Sequence, residues 1–102
     1  MIHVIAVITA QQGKREQILQ HLRANVPNVL AEPGCLEYGA AVDAHDALPV
    51  QTKWGAETFL VIEKWDSMQA LKAHAAAPHM AAYAAKTREL IASRVIHILT
   101  PT

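Results

Sequence analysis

Residues 58 to 79 read T-F-L-V-I-E-K-W-D-S-M-Q-A-L-K-A-H-A-A-A-P-H, from Thr58 to His79. The opening segment alternates: Phe59, Val61, Glu63 and Trp65 fall on one face of an extended chain, and Thr58, Leu60, Ile62 and Lys64 on the other. At Asp66-Ser67 the period turns helical, because both residue types accept backbone N–H bonds at a helix N-terminus. The stretch therefore predicts a strand followed by a helix, with Trp65, Leu71 and His74 converging near the junction. Glu63 is the anomaly. A carboxylate buried on an apolar face without a partner is costly or becomes protonated, so something near the junction must answer it.

Working back towards the N-terminus, Ile2 to Thr9 is almost wholly apolar and rich in β-branched residues, with His3 the polar exception inside it. That pattern predicts a central strand covered on both faces. From Lys14 the period is helical: Ile18, Leu22, Val26 and Val29 form a stripe with Leu19 and Leu30 beside it. Pro27 predicts a kink or restart, and Glu32-Pro33-Gly34 a stop. Cys35 to Val42 reads as a second strand, with Gly39 as a bulge or point of close approach. Asp43 to Ala56 is a long connection carrying Trp54; loops of this length are often functional or interfacial, and packing on a neighbouring subunit accounts for a tryptophan there.

Within the opening stretch a short helix spans Ser67 to Ala76, and Pro78 suits the first position of another. Met80, Tyr83, Ala84, Thr87, Leu90 and Ile91 form its apolar stripe, and Arg94 to Leu99 closes the chain as a strand. The order β-α-β-β-α-α-β over residues 1–102 predicts a single α+β domain, an antiparallel sheet with helices on one face. The bare face would display Ile5, Val7, Leu60, Ile62, Ile96 and Ile98. At roughly 25 cal/mol per Å², covering several hundred Å² of it favours pairing, so a homodimer through the open sheet face is expected.

Composition narrows the functional classes. Acidic and basic residues balance at nine each, leaving no electrostatic footprint for nucleic acid or an anionic membrane. The single cysteine, Cys35, has no internal partner, and nothing near it in sequence would activate it; it reads as a small buried hydrophobe. No run approaches the roughly 20 apolar residues of a membrane span, and the N-terminus lacks a basic leader, so a soluble cytoplasmic protein without nucleic-acid or membrane partners is expected. The six histidines do not form a metal pattern, since Pro78 spoils shared facing of His74 and His79. Tyr38 and Tyr83 read as core-edge residues with bonded hydroxyls. Glu63 with His74 and Trp65 reads either as structural burial or as an acid–base pair beside an aromatic wall, which suits a flat ionisable organic molecule.

Three segments in order carry a resemblance: Glu32-Pro33-Gly34-Cys35-Leu36-Glu37-Tyr38, the E-K-W-D of Glu63 to Asp66, and Ala70-Leu71-Lys72-Ala73-His74 followed by Pro78-His79-Met80. The chain resembles the antibiotic biosynthesis monooxygenase (ABM) family. Val26-Pro27, the strand end at Val42-Asp43 and the closing Ile98 to Pro101 are similar to its small quinol monooxygenase branch. The resemblance implies a ferredoxin-like βαββαβ fold with its second helix split in two, a homodimer whose sheets meet face to face, and hence a dimeric α+β barrel. It also implies oxidation of a small quinol or hydroxylated aromatic by O2 with no flavin, haem or metal cofactor.

The resemblance is partial at the site. Val61 and Leu71 stand where polyketide-oxidising members carry an asparagine and a tyrosine, while Trp65 matches their pocket tryptophan. Ala6, His74 and Ala84 stand where haem-degrading members need an asparagine, a tryptophan and a haem-ligating histidine, which argues against haem degradation. The expected catalytic set is His74 as base, Glu63 as its orienting partner and Trp65 as the wall that stacks on the ring. Tyr83, His79, Phe59 and Leu71 are the expected substrate-binding residues. The rival readings are isomerisation or degradation of a small hydroxyketone signalling molecule, and a non-catalytic dimeric ligand-binding domain.

Overall fold

The switch from alternation to helical period falls where the sequence puts it. The computed structural model describes residues 1–102, and its elements are β1 (Ile2–Ala10), α1 (Arg15–Leu30), β2 (Cys35–Ala41), β3 (Thr58–Trp65), α2 (Met68–Ala75), α3 (Pro78–Thr87), a 3₁₀ turn (Arg88–Leu90) and β4 (Ile91–Leu99). Ser67 caps α2 through its side chain, which accepts the Ala70 N–H at 3.1 Å, and Pro78 opens α3. The strands form one antiparallel sheet in the order β2-β3-β1-β4, the ferredoxin-like arrangement, with the helices on one face.

The barrel expectation is corrected by this topology. The sheet is open: β2 and β4 lie at opposite edges and pair with nothing on their outer sides, whereas closure would need them to pair with each other. β1 is central as expected, but only one of its faces is covered by helices. Val4, Ala6, Ile8 and Ala10 are buried there, and His3, Ile5, Val7 and Thr9 on the other face are half-buried.

Register also corrects the bare face. Ile5 pairs with Ile62 and His97, and Val7 with Leu60 and Val95. Val95, His97 and Leu99 therefore share the bare face with Ile5 and Val7. Ile96 and Ile98 pair with Ala6 and Val4 and lie on the helix side. A facing error of one residue moves every side chain of a strand to the opposite face, and β4 is also a stretch where apolar residues run consecutively, so alternation could not decide it.

On the covered face, Ile18, Leu19, Leu22 and Val29 of α1 pack over Val4, Ile8, Phe59, Val61 and Trp65. α1 runs through Pro27 without stopping. The missing N–H falls near the last turn, and the Ala31 N–H donates to the Pro27 carbonyl at 3.2 Å to finish the helix. Leu30 is exposed, off the stripe. The irregularity in β2 lies between Cys35 and Glu37 rather than at Gly39, where a side chain would meet nothing within 4 Å. α3 ends at Thr87, so Leu90 belongs to the 3₁₀ turn and Ile91 to β4. The 43–57 connection is pinned by Asp43, whose carboxylate accepts the Trp54 and Gly55 N–H groups at 2.9 Å each, and Trp54 is left 57% exposed. No helix is long and apolar enough to cross a membrane.

Candidate active site

The turn that stops α1 also builds the site. Gly34 has φ +84°, and a Cβ there would lie 2.5 Å from Asp66 Oδ1 and 2.6 Å from the Ala70 Cβ. Only glycine allows this left-handed turn to press against the β3–α2 junction, where the Gly34 carbonyl accepts the Asp66 N–H at 2.9 Å. Glu32 is thereby brought beside α2. His74, near the end of that helix, has Nδ1 2.7 Å from Glu32 Oε2. An ionised carboxylate only accepts, so Nδ1 carries a proton; in the neutral imidazole it is then Nε2 that presents a lone pair.

Glu63 is answered by a different group. The Trp65 indole N–H donates to Glu63 Oε1 at 2.9 Å, between side chains two apart on the same strand face. Trp65 is fully buried, with its ring 4.7 Å from that of His74 between centroids, and Glu63 and His74 are only 7% and 5% exposed. Burial pushes the Glu63 carboxyl above its ordinary value; the Trp65 N–H, His74 and Arg94 each offset part of that rise. His74 is thus an electrostatic neighbour of Glu63, while its hydrogen bond goes to Glu32.

The cluster borders a cavity of about 520 Å³ between the sheet and the second helical segment. Its floor includes Ala6 and Val61, and Ala75, Ala76, Ala77, Ala81 and Ala84 line it from the helices. Where larger side chains would have filled the layer, a run of alanines leaves it open. Glu63 and His74 line the cavity with Tyr38, whose backbone pairs with Glu63 across β2 and β3. Burial first, then the charge of Glu63, holds the Tyr38 phenol well above its ordinary value. Burial likewise raises the Tyr83 phenol, with Arg94 opposing.

The expected site residues are distributed unevenly. Glu63, Trp65 and His74 are brought together, and Tyr83 lines the cavity. Trp65 lies behind Glu63 and His74 rather than on the cavity wall, and Phe59 and Leu71 are spent on the core. His79 belongs to a smaller adjoining cavity with Asn25 and Lys86. Its Nδ1 accepts from the Asn25 amide at 3.1 Å, and its enclosed Nε2 lies 3.6 Å from Glu32 Oε2. Glu32 and Tyr38 were not among the expected site residues. Both sit in the segment Glu32 to Tyr38, where Glu32 reads as part of a helix stop and Tyr38 as an edge residue. The alanine run at Ala75 to Ala77 and Ala81 to Ala84 was the signal for a cavity.

A ferredoxin-like chain with an alanine-roofed cavity and a buried imidazole–carboxylate pair can bind a flat molecule and take a proton from it. The chain belongs to the antibiotic biosynthesis monooxygenase family, whose pattern matches residues 1–86. It is 34% identical to the probable quinol monooxygenase YgiN of Escherichia coli strain K12, over 99% of this chain and 98% of that protein. Among solved structures it is similar to PA3566 from Pseudomonas aeruginosa, with 31% identity and a TM-score of 0.80 over 99% of this chain and 93% of the other. It is also similar to Rv0793 from Mycobacterium tuberculosis, with 25% identity and a TM-score of 0.80 over 99% and 94% of the two chains.

Proposed function

We propose that this chain is a cofactor-independent monooxygenase that oxidises a small quinol or related hydroxyaromatic with O2 in the cavity beside His74. Family membership and the likeness to a probable quinol monooxygenase support the reaction class. The observation that carries the site is His74 on the cavity wall, its Nδ1 held by Glu32 from outside the lining. With Nδ1–H held by Glu32, the Nε2 lone pair of His74 takes the proton of a ring hydroxyl, and the resulting anion is the electron donor to oxygen. The ring can supply all four electrons: a 1,4-quinol and O2 give a hydroxyquinone and water. Glu63, held by Trp65, and Tyr38 complete the polar end of the cavity, and the alanine roof keeps the ring flat and away from water.

Oxygen consumption with a panel of benzene and naphthalene 1,4-diols, measured above the protein-free autoxidation rate, tests this. Uptake that saturates with quinol and falls by roughly 10²-fold or more in His74→Ala is expected. A His74→Ala variant that oxidises quinols at the normal rate removes the base assignment.

A second copy of the chain covers the bare sheet face in this reading. Ile5, Val7, Leu60, Ile62, Val95 and Leu99 leave apolar surface there that the helices do not reach. Burial at roughly 25 cal/mol per Å² favours its removal from water. Light scattering of a purified Ile62→Lys variant is expected to show monomers where the parent chain gives dimers; a parent chain that is monomeric at high concentration overturns the assignment.

A further inference from the structure

The cavity has a second chemical end that the proton transfer does not use. Arg94 on β4 and Arg88 in the turn after α3 both line it, and neither takes part in any of the chain's ion pairs. On β1, Val4 pairs with Glu63 and Ile8 pairs with Arg94. Glu63 and Arg94 therefore flank the same strand on opposite sides, four residues apart along it. At about 3.4 Å per residue and 4.8 Å per strand their backbones are roughly 17 Å apart. Both side chains lie on the helix face, since Val4 and Ile8 are buried there. Ala6, Val61 and Ile96 wall the space between them with apolar atoms.

An apolar slot with an acid–base cluster at one end and two guanidiniums at the other is chemically bipolar. A neutral diol would satisfy one end and bring no counter-charge to the two exposed arginines. These have no carboxylate within ion-pair distance, the charge of Glu63 reaching Arg94 only from further off. The guanidinium fork matches a carboxylate in geometry as well as charge. We propose that the substrate is a hydroxyaromatic carboxylate, held at the rim by Arg88 and Arg94 while its hydroxyl meets His74. This rests on the reading of the cavity as the place of quinol oxidation, and it adds which quinols are taken.

The test separates the two. Binding of 6-hydroxy-2-naphthoate, with hydroxyl and carboxylate at opposite ends, is compared with binding of 2-naphthol by titration calorimetry, so no turnover is needed. The carboxylate is expected to bind at least roughly tenfold more tightly, and this advantage is expected to vanish in the Arg88→Ala/Arg94→Ala double variant, whose fold is checked by circular dichroism. Equal binding of the two probes, no binding of either, or an advantage that survives in the double variant overturns the proposal. Arginine-dependent binding of the naphthoate without oxygen uptake from any quinol keeps the anion site and removes the oxidation. Uptake from neutral quinols with no preference for the carboxylate does the reverse.

Discussion

Nδ1 of His74 and Oε2 of Glu32, 42 residues apart in sequence, lie 2.7 Å apart, with the imidazole on the cavity wall and the carboxylate behind it. In the proposed reaction Glu32 acts through this bond: it would fix which ring nitrogen holds the proton and stabilise the imidazolium formed when Nε2 accepts one. In Glu32→Gln the amide keeps the shape and loses the charge. Its kcat for quinol oxidation is expected to fall by roughly 10²-fold with KM little changed, and Glu32→Asp to recover part of the loss. Because a packing role would not alter ionisation, the pH–rate profile is the deciding readout. An unchanged kcat and profile in Glu32→Gln would remove Glu32 from the mechanism.

Trp65 donates to Glu63 from inside the core and does not line the cavity. Trp65→Phe preserves most of the ring volume and deletes the N–H that Glu63 accepts, so it is expected to cost about 1–3 kcal/mol, the typical penalty for a buried polar group left unpaired. Trp65→Ala also opens a cavity and is expected to cost about 3–5 kcal/mol. Urea denaturation measures both. The Trp65→Phe penalty should shrink in a Glu63→Ala background; equal penalties in the two backgrounds would show that the indole N–H does not support Glu63.

The sequence makes the elements of this fold legible because its periods are clean where one face is buried. Alternation from Phe59 to Trp65 and the cap at Ser67 both appear in the structure. It fails where alternation is absent, as at Val95-Ile96 and Ile98-Leu99, where consecutive apolar residues fall on opposite faces. At the site, the meeting of Glu63, Trp65 and His74 was legible because all three come from one strand–helix unit. The partner of His74 was not. Glu32 reaches it through a turn from another element, and a contact between elements has no local period to reveal it. The open sheet was equally illegible, since edge pairing is a property of the assembled strands.

Glu63 gives a pH dependence of defined sign. Its carboxyl is raised above the ordinary value of 4.5, chiefly by burial. Between the unfolded and folded values the native state therefore binds the extra proton, and stability falls as pH rises through that window. Below it, Glu63 is protonated in both states and its contribution is fully present. Glu63→Gln stays neutral and can still accept the Trp65 N–H through its side-chain oxygen. The two proteins should melt alike near pH 4, with the variant gaining on the parent as pH rises and the difference levelling off once Glu63 is ionised in the fold. Thermal melts at constant ionic strength measure this. A difference that shrinks with rising pH would mean that ionised Glu63 stabilises the fold and would reverse the assignment of burial as the dominant influence.

Gly34 ties the fold to the site. Alanine there would hold a left-handed conformation that costs about 1–3 kcal/mol for a residue with a Cβ. Its Cβ would also meet Asp66 Oδ1 at 2.5 Å and the Ala70 Cβ at 2.6 Å, so the turn must move away from the β3–α2 junction. That movement carries Glu32 with it, because Glu32 is two residues away on the same turn. Gly34→Ala is therefore expected to lose about 2–4 kcal/mol of stability, from strain together with the overlap. At a temperature where the variant remains folded, its kcat should fall in the same direction as that of Glu32→Gln. Combining Gly34→Ala with Glu32→Gln should then lower kcat by much less than the product of the separate effects, since both act on the same bond to His74. A fully multiplicative loss would separate the turn from the base.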